Sequence, residues 1–240
     1  MRPINIRILA GMFLSLASGQ SLAGDLNQLQ KLGTQATFLS LAEDLGAALA
    51  YRPLSPATPL GITGFDVGID ASATRMQSNA FAVATNSSLS TLPIARLRAQ
   101  KGLPLDFDVG ASYTQVPGTN LKLIGGELRY AIIAGGLVAP AVSIRGSFSK
   151  LSGVDQLDLS TRAIDVSISK GFVGITPYAG AGYVWTKATP HQVPLFTEES
   201  FTKPRVFVGV NIGMGIFAVG GELDRTGANT TLSAKMALRW

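Results

Sequence analysis

His191 is the single histidine of this chain, and Glu198, Glu199 and Ser200 follow it within one polar, proline-bearing stretch. Histidine with a hydroxyl and a carboxylate is the set from which hydrolytic triads are built. Here all four fall in one loop, with no G-x-S-x-G turn and no second histidine to support that chemistry. Asp106-Phe107-Asp108 sets two carboxylates two residues apart, on one face of a strand, where acid–base work is conceivable. Charge pairing with a nearby arginine, Arg98, accounts for them more simply. Gly135-Gly136 and Gly220-Gly221 lack the strand–loop–helix context of a phosphate loop and read as turns and close strand packing. With no cysteine and one histidine, a protein zinc site is not expected. The reading is of a non-enzymatic chain with no cofactor and no metal.

The remaining charges fall at every second position of segments that alternate apolar and polar residues. Such alternation is the mark of strands with one apolar face. Ten strands are expected, at about 64–74, 93–101, 105–115, 121–132, 140–149, 158–170, 174–187, 203–214, 216–226 and 230–240. Phe65, Val67, Ile69, Ala71 and Ala73 share one parity of the first; Val142, Ile144, Gly146 and Phe148 share one of the fifth. If that parity faces lipid, the interior receives Asp66, Asp70, Arg96, Arg98, Asp106, Asp108, Glu127, Arg129, Arg145, Asp165, Glu222, Asp224, Lys235 and Arg239. The near balance of signs predicts a cross-linked interior, with Asp108 beside Arg98, Glu127 opposite Arg145, and Asp66 close to Arg239 across a closing seam. Gly68, Gly110, Ser143, Ser147, Gly180, Gly182 and Gly209 share that interior parity. They leave room for a solute path or for another part of the chain. Arg162 lies on the apolar parity, so a place at the membrane rim, or a bulge, is expected.

Residues 1–23 read as a secretory signal: Arg2 and Arg7, an apolar run from Ile8 to Ala17, and the small-x-small site Ser21-Leu22-Ala23. Without them, 18 basic residues stand against 15 acidic ones, so the basic pI is partly the signal's and gives no reason to expect nucleic acid as a partner. The charged fraction is 15%, below the ~25% of ordinary globular chains, and no run of 18 apolar residues follows the signal. Residues 24–60 differ from the rest. Leu26, Leu29 and Leu32, then Phe38, Leu41 and Leu45, form a helical stripe interrupted by Gly33, and Pro53, Pro56 and Pro59 end regular pairing. This segment is expected to be a plug or to lie in the periplasm, beside a barrel over 61–240. The alternative is a hairpin over 35–52 that makes twelve strands.

In the closing segment Leu232, Ala234, Met236, Leu238 and Trp240 share one parity, and Trp240 is the last residue. The pattern resembles the closing strand of bacterial outer-membrane β-barrel proteins, over most of the chain after the signal. Glu43 to Pro53, Lys170-Gly171-Phe172 and Thr176-Pro177-Tyr178 resemble a proteobacterial group of such proteins to which no substrate is attached. The resemblance implies a transmembrane antiparallel up-and-down barrel in the outer membrane, with Leu238 and Trp240 as the assembly signal. It implies outer-membrane lipids, periplasmic chaperones and the barrel assembly machinery as partners. Links 102–104, 133–139, 171–173 and 215 are short, whereas 75–92 and 188–202 are long; with Trp240 in the periplasm, the short links fall inside and the long ones outside. Phe65, Tyr130, Phe172, Phe217 and Trp240 would girdle the inner interface, and Tyr113, Phe148, Tyr183 and Trp185 the outer. The expected function is to pass or bind a small solute through a narrow charged lumen. The alternatives are a structural or surface-interaction barrel acting through its loops and, less favoured, a lipid-modifying enzyme at the rim. The competing fold is a secreted soluble β-sandwich, with the apolar parity in a dry core.

Overall fold

The computed structural model describes residues 28–86, 89–115 and 121–240. The expected signal, 1–23, lies outside them. Ten antiparallel strands form one closed barrel: β1 Phe65–Arg75, β2 Thr91–Gly102, β3 Phe107–Gln115, β4 Lys122–Ile133, β5 Ala141–Ser152, β6 Leu157–Ser169, β7 Ile175–Pro190, β8 Glu199–Met214, β9 Phe217–Thr226 and β10 Asn229–Arg239. Each pairs with its neighbours in sequence, and β1 closes on β10. At the seam Phe65 and Trp240 exchange backbone hydrogen bonds of 2.8 and 3.1 Å, and their rings stack at 5.3 Å.

The side each strand turns outward decides the kind of barrel. Val109, Ile144, Val166 and Leu238 are 42, 39, 49 and 43% exposed, whereas Asp108, Arg145 and Lys235 are 1, 2 and 2% exposed. A soluble sandwich would show the reverse. An apolar belt running around the wall, far larger than the patches water-soluble monomers carry, needs lipid against it. No described helix is long and apolar enough to cross a membrane; the crossing is made by strands.

The barrel's two ends differ. Short connections, 103–106, 134–140, 170–174 and 215–216, gather at the end that carries Trp240, here the near end. The far end carries 76–90 and the long β7–β8 hairpin, whose pairing reaches Ala188 and Glu199, beyond the expected strand limits. A six-residue helix, Ala80–Thr85, forms in the first of these loops, where no helix was expected.

Residues 35–52 add no hairpin. A 3-10 turn over Leu29–Leu32 ends at Gly33, which takes the left-handed φ of 71° that stops it. Helix α1, Gln35–Leu49, follows, its first turn capped by Thr34 Oγ1 accepting from Thr37 N at 3.2 Å. The helix sits in the far mouth. Phe38, Leu41, Leu45 and Leu49 pack there with Leu123, Leu151, Leu157, Leu159, Phe81 and Phe196, and Phe38 stacks on Phe196 at 5.1 Å. The far half of the barrel thus has a dry core of its own.

Candidate functional site: the occupied lumen

From the end of α1, residues 50–60 descend through the lumen to the near end, where β1 begins. Pro53, Pro56 and Pro59 deny the segment regular hydrogen bonds, and Leu54, at a left-handed φ of 46°, bends it. A buried irregular chain must still satisfy its backbone, because each orphaned amide or carbonyl costs free energy comparable to a lost hydrogen bond. The wall supplies the partners. Arg96 Nη2 donates to Ala48 O at 3.2 Å, Ser149 Oγ to Leu49 O at 2.7 Å, Arg205 Nη1 to Tyr51 O at 3.0 Å and Arg98 Nη2 to Pro53 O at 2.9 Å. Arg129 donates to Pro56 O and to Thr58 O. In return Leu54 N donates to Glu222 Oε2 at 3.1 Å, Ala57 N to Ser169 Oγ at 3.1 Å and Leu60 N to Asp108 Oδ1 at 2.9 Å. The plug contributes one cation of its own. Arg52 Nη1 donates to Asp224 Oδ1 at 2.8 Å and Nη2 to Thr231 Oγ1 at 3.0 Å.

Most of the wall's buried charges, whether or not they touch the plug, are paired with one another. Arg129 meets Asp108 at 2.7 Å, Arg205 meets Asp224 at 2.5 Å, Lys235 meets Asp66 at 2.9 Å, and Arg96 meets Asp70 at 3.3 Å. Arg145 lies 3.3 Å from Asp165 and 3.7 Å from Glu127. Charges this deeply buried are tolerable only with such partners.

Several expected neighbours are rearranged. The β2–β3 register sets Gly102 against Asp108 and Arg98 against Ser112. Arg98 therefore lies 3.8 Å from Asp70, and Asp108 pairs with Arg129. Across β4–β5, Glu127 faces Ser147 while Arg129 faces Arg145. The two arginines diverge to separate carboxylates, and Glu127 reaches Arg145 diagonally. Asp66 faces Arg239 across the seam, and its ion pair is with Lys235, four residues back along β10. Asp106 is not luminal: it is exposed in the β2–β3 turn, with Leu105 and Asp106 at φ of 62° and 60°. It shares no face with Asp108. Arg239 is half-buried; Asp66, Asp70, Arg96, Arg98, Glu127, Arg129, Arg145, Asp165, Glu222, Asp224 and Lys235 are buried inside. Arg205, Arg52 and Tyr51 were not expected there. Arg205 shares the interior parity read at Gly209, four residues on, so the alternation of β8 is the signal that locates it.

Asp44 joins α1 to the far loops. Its carboxylate accepts from Gln77 N and Ser78 N at 3.0 Å each, from Ser78 Oγ at 2.7 Å and from Asn229 Nδ2 at 2.6 Å.

At the rim His191 Nε2 lies 2.9 Å from Asp158 Oδ2, with both side chains exposed. Glu198 accepts from Lys187 and Thr189 at 3.0 Å, and these bonds, Lys187's foremost, hold its carboxyl below the ordinary value. Ser200 pairs across to Lys187. The four loop residues thus form separate surface contacts, not a triad. Among the described residues no group of histidines and carboxylates is arranged to hold a metal.

No family model matches the chain, and no curated protein matches it. Solved structures similar to it include the N-terminal β-barrel domain of Pseudomonas aeruginosa OprF, at 14% identity over 75% of this chain and 99% of that one, with a TM-score of 0.39. Neisserial surface protein A matches at 12% identity over 73% and 95%, with a TM-score of 0.30. The attachment invasion locus protein Ail of Yersinia pestis, in complex with sucrose octasulfate, matches at 9% over 74% and 97%, also at 0.30. Likenesses this low assign no activity. The class is defined by the chain's own geometry: a ten-stranded membrane β-barrel whose lumen is occupied by its own N-terminal segment.

Proposed function

We propose that this is a bacterial outer-membrane barrel, non-enzymatic and closed at rest, that acts as a rigid carrier of structured surface loops. One observation carries the reading: the lumen is filled along its length, by α1 in the far mouth and by residues 50–60 below it. Arg96, Arg98, Arg129, Arg205, Asp108, Glu222 and Asp224 hold that segment, and the remaining buried charges pair within the wall, so they do not favour a standing solute path. A second reading, solute passage once the plug shifts, draws on a different observation. Asp66 Oδ1, Ser147 Oγ, Asn211 Nδ2, Glu222 Oε1 and Ser233 Oγ are buried without a protein partner, which marks the lumen as more polar than the plug requires. Planar-bilayer recording on the full chain tests the choice. A closed carrier stays electrically silent at moderate voltage; steady conductance from the unmodified chain would replace it with the solute reading. The same near-end topology, with Trp240 beside the short turns, favours a periplasmic near end and an external far end.

A further inference from the structure

Follow the outward-facing residues of each strand from the near end to the far end, and the apolar run stops at a characteristic residue. It stops at Arg75 on β1, Lys122 on β4, Lys150 on β5, Arg162 on β6, Lys187 on β7 and Arg225 on β9. Six of ten strands thus end their lipid-facing run on a cation, and the other four end it on Thr91, Gln115, Thr202 and Thr230, none on an acid. On β5–β7 these residues are adjacent. Lys150, Ser160 and Lys187 form one cross-strand row, and Phe148, Arg162 and Trp185 form the next row toward the near end. Neighbouring strands lie ~4.8 Å apart and paired rows ~7 Å apart. Three cations and a hydroxyl therefore converge on an area about 10 Å by 7 Å. The pairing through Arg162 is regular, so this cation is at the rim, not displaced by a bulge. Lys150 and Arg162 take part in no ion pair among the described residues; Lys187 has Glu198 at 3.0 Å. Asp158, the nearest outward carboxylate on β6, lies one residue pair farther out and is held by His191.

Directly beneath the patch the wall is apolar: Ile164 and Tyr183 are half exposed on the same strands. A molecule that meets both surfaces needs an anionic head and hydrocarbon tails. Unpaired cations beside such a wall attract anionic headgroups, and a phosphate's oxygens match what arginine, lysine and a hydroxyl donate. We propose that the outer face of β5–β7 is a binding site for a phosphate-bearing lipid of the leaflet at the far end, with Lys150, Arg162 and Lys187 on the phosphate and Ser160 donating between them.

The test uses the full chain in phosphatidylcholine nanodiscs doped with phosphatidic acid or with diacylglycerol, and the lipid retained by the protein is measured by native mass spectrometry. Phosphatidic acid should be enriched on the unmodified protein and diacylglycerol should not. Lys150→Gln, Arg162→Gln and Lys187→Gln together should lower the enrichment about tenfold or more. The pair Lys150→Arg and Lys187→Arg should keep it. Enrichment that survives the triple substitution, equal retention of diacylglycerol, or displacement by inorganic phosphate as effective as by lipid would overturn the site. Failure of the folded chain to enter nanodiscs would overturn the membrane reading, and this site with it.

Discussion

Arg52 Nη1 and Asp224 Oδ1 lie 2.8 Å apart, both side chains fully buried, and together they tie the N-terminal segment to the wall of the barrel that the same chain goes on to form. Asp224 holds Arg205 on its other oxygen at 2.5 Å. One carboxylate thus joins a plug cation to a wall cation, and Arg205 in turn holds Tyr51 O, one residue before Arg52. The knot fixes the depth at which the segment begins its descent.

Arg52→Ala removes one side of a buried pair and leaves Asp224 its second partner. The cost should therefore fall at or below the ~3 kcal/mol end of the range for breaking such pairs. Its effect should be local, because barrel pairing does not depend on Arg52. Hydrogen exchange at the amides of Leu54, Ala57 and Leu60 should quicken by about tenfold or more, with strand amides unchanged. In planar bilayers the variant should flicker open where the unmodified chain is silent. Unchanged exchange at those three amides would remove the knot from the account of closure.

Asp44 provides a second, independent hold at the opposite end of the plug. Asp44→Asn keeps the shape but presents an amide to backbone N–H groups that need an acceptor; these donors are only partly buried, so the loss should fall near the ~1 kcal/mol low end for an unmet donor. The far loop over 76–86 should then be cut faster by protease than in the unmodified protein, at unchanged barrel content by circular dichroism. Equal cleavage would show that the apolar packing of Phe81 and Ala84 suffices to hold the loop.

Gly46 faces the wall at a point where a Cβ would lie 2.5 Å from Thr186 Oγ1 and 2.8 Å from its Cγ2. Alanine is the better helix former by about 1 kcal/mol, yet here overpacking of about 1–3 kcal/mol opposes that gain. Gly46→Ala should lower the melting temperature alone. Combined with Thr186→Ala, which vacates the space, it should restore the plug's docking and recover the helical gain. Additive losses in the double-variant cycle would show that the two positions do not meet.

What is legible in the residues alone divides along a physical line. The outward parity of Val109, Ile144 and Leu238 reports itself, because a strand's period of two is written in the residues of that strand. The partners of Arg98 and Asp108 are not legible in this way. They depend on how many residues the β2–β3 turn consumes, and Leu105 and Asp106 take left-handed backbone there and shorten β3. A one-residue change in a turn moves every partner beyond it. The place of residues 50–60 is equally out of reach. Prolines at 53, 56 and 59 announce a segment without regular pairing, but the carbonyls that Arg98 and Arg129 hold are identical from residue to residue and leave no pattern in side-chain type. The one trace of the plug is the run of small interior residues, Gly68, Gly110, Ser143, Ser147, Gly180, Gly182 and Gly209, which leaves room for another part of the chain without saying which.

Trp240 carries the last prediction. Its ring stacks on Phe65 at 5.3 Å, and its N and O pair with the backbone of the same residue. Lys101 Nζ lies 4.3 Å from the Phe65 ring, so the seam between β10, β1 and β2 is sealed at the near end by two aromatic rings and one cation. Trp240→Ala keeps the backbone pair and deletes the stack, a loss of about 0.5–1.5 kcal/mol beyond the area uncovered. Trp240→Phe should keep most of it. If the ring acts only by sealing the seam, purified Trp240→Ala should refold into lipid vesicles with a modestly lower denaturation midpoint, and cells should insert it nearly as well as the Phe variant. If the ring is also read during assembly, as the likeness of the closing strand implies, insertion in cells should fall far more than refolding in vitro does. Comparing the two yields for both variants separates stability from recognition. An Ala variant equal to the Phe variant in cells and in vitro would remove Trp240 from the assembly signal and leave it as a seam residue alone.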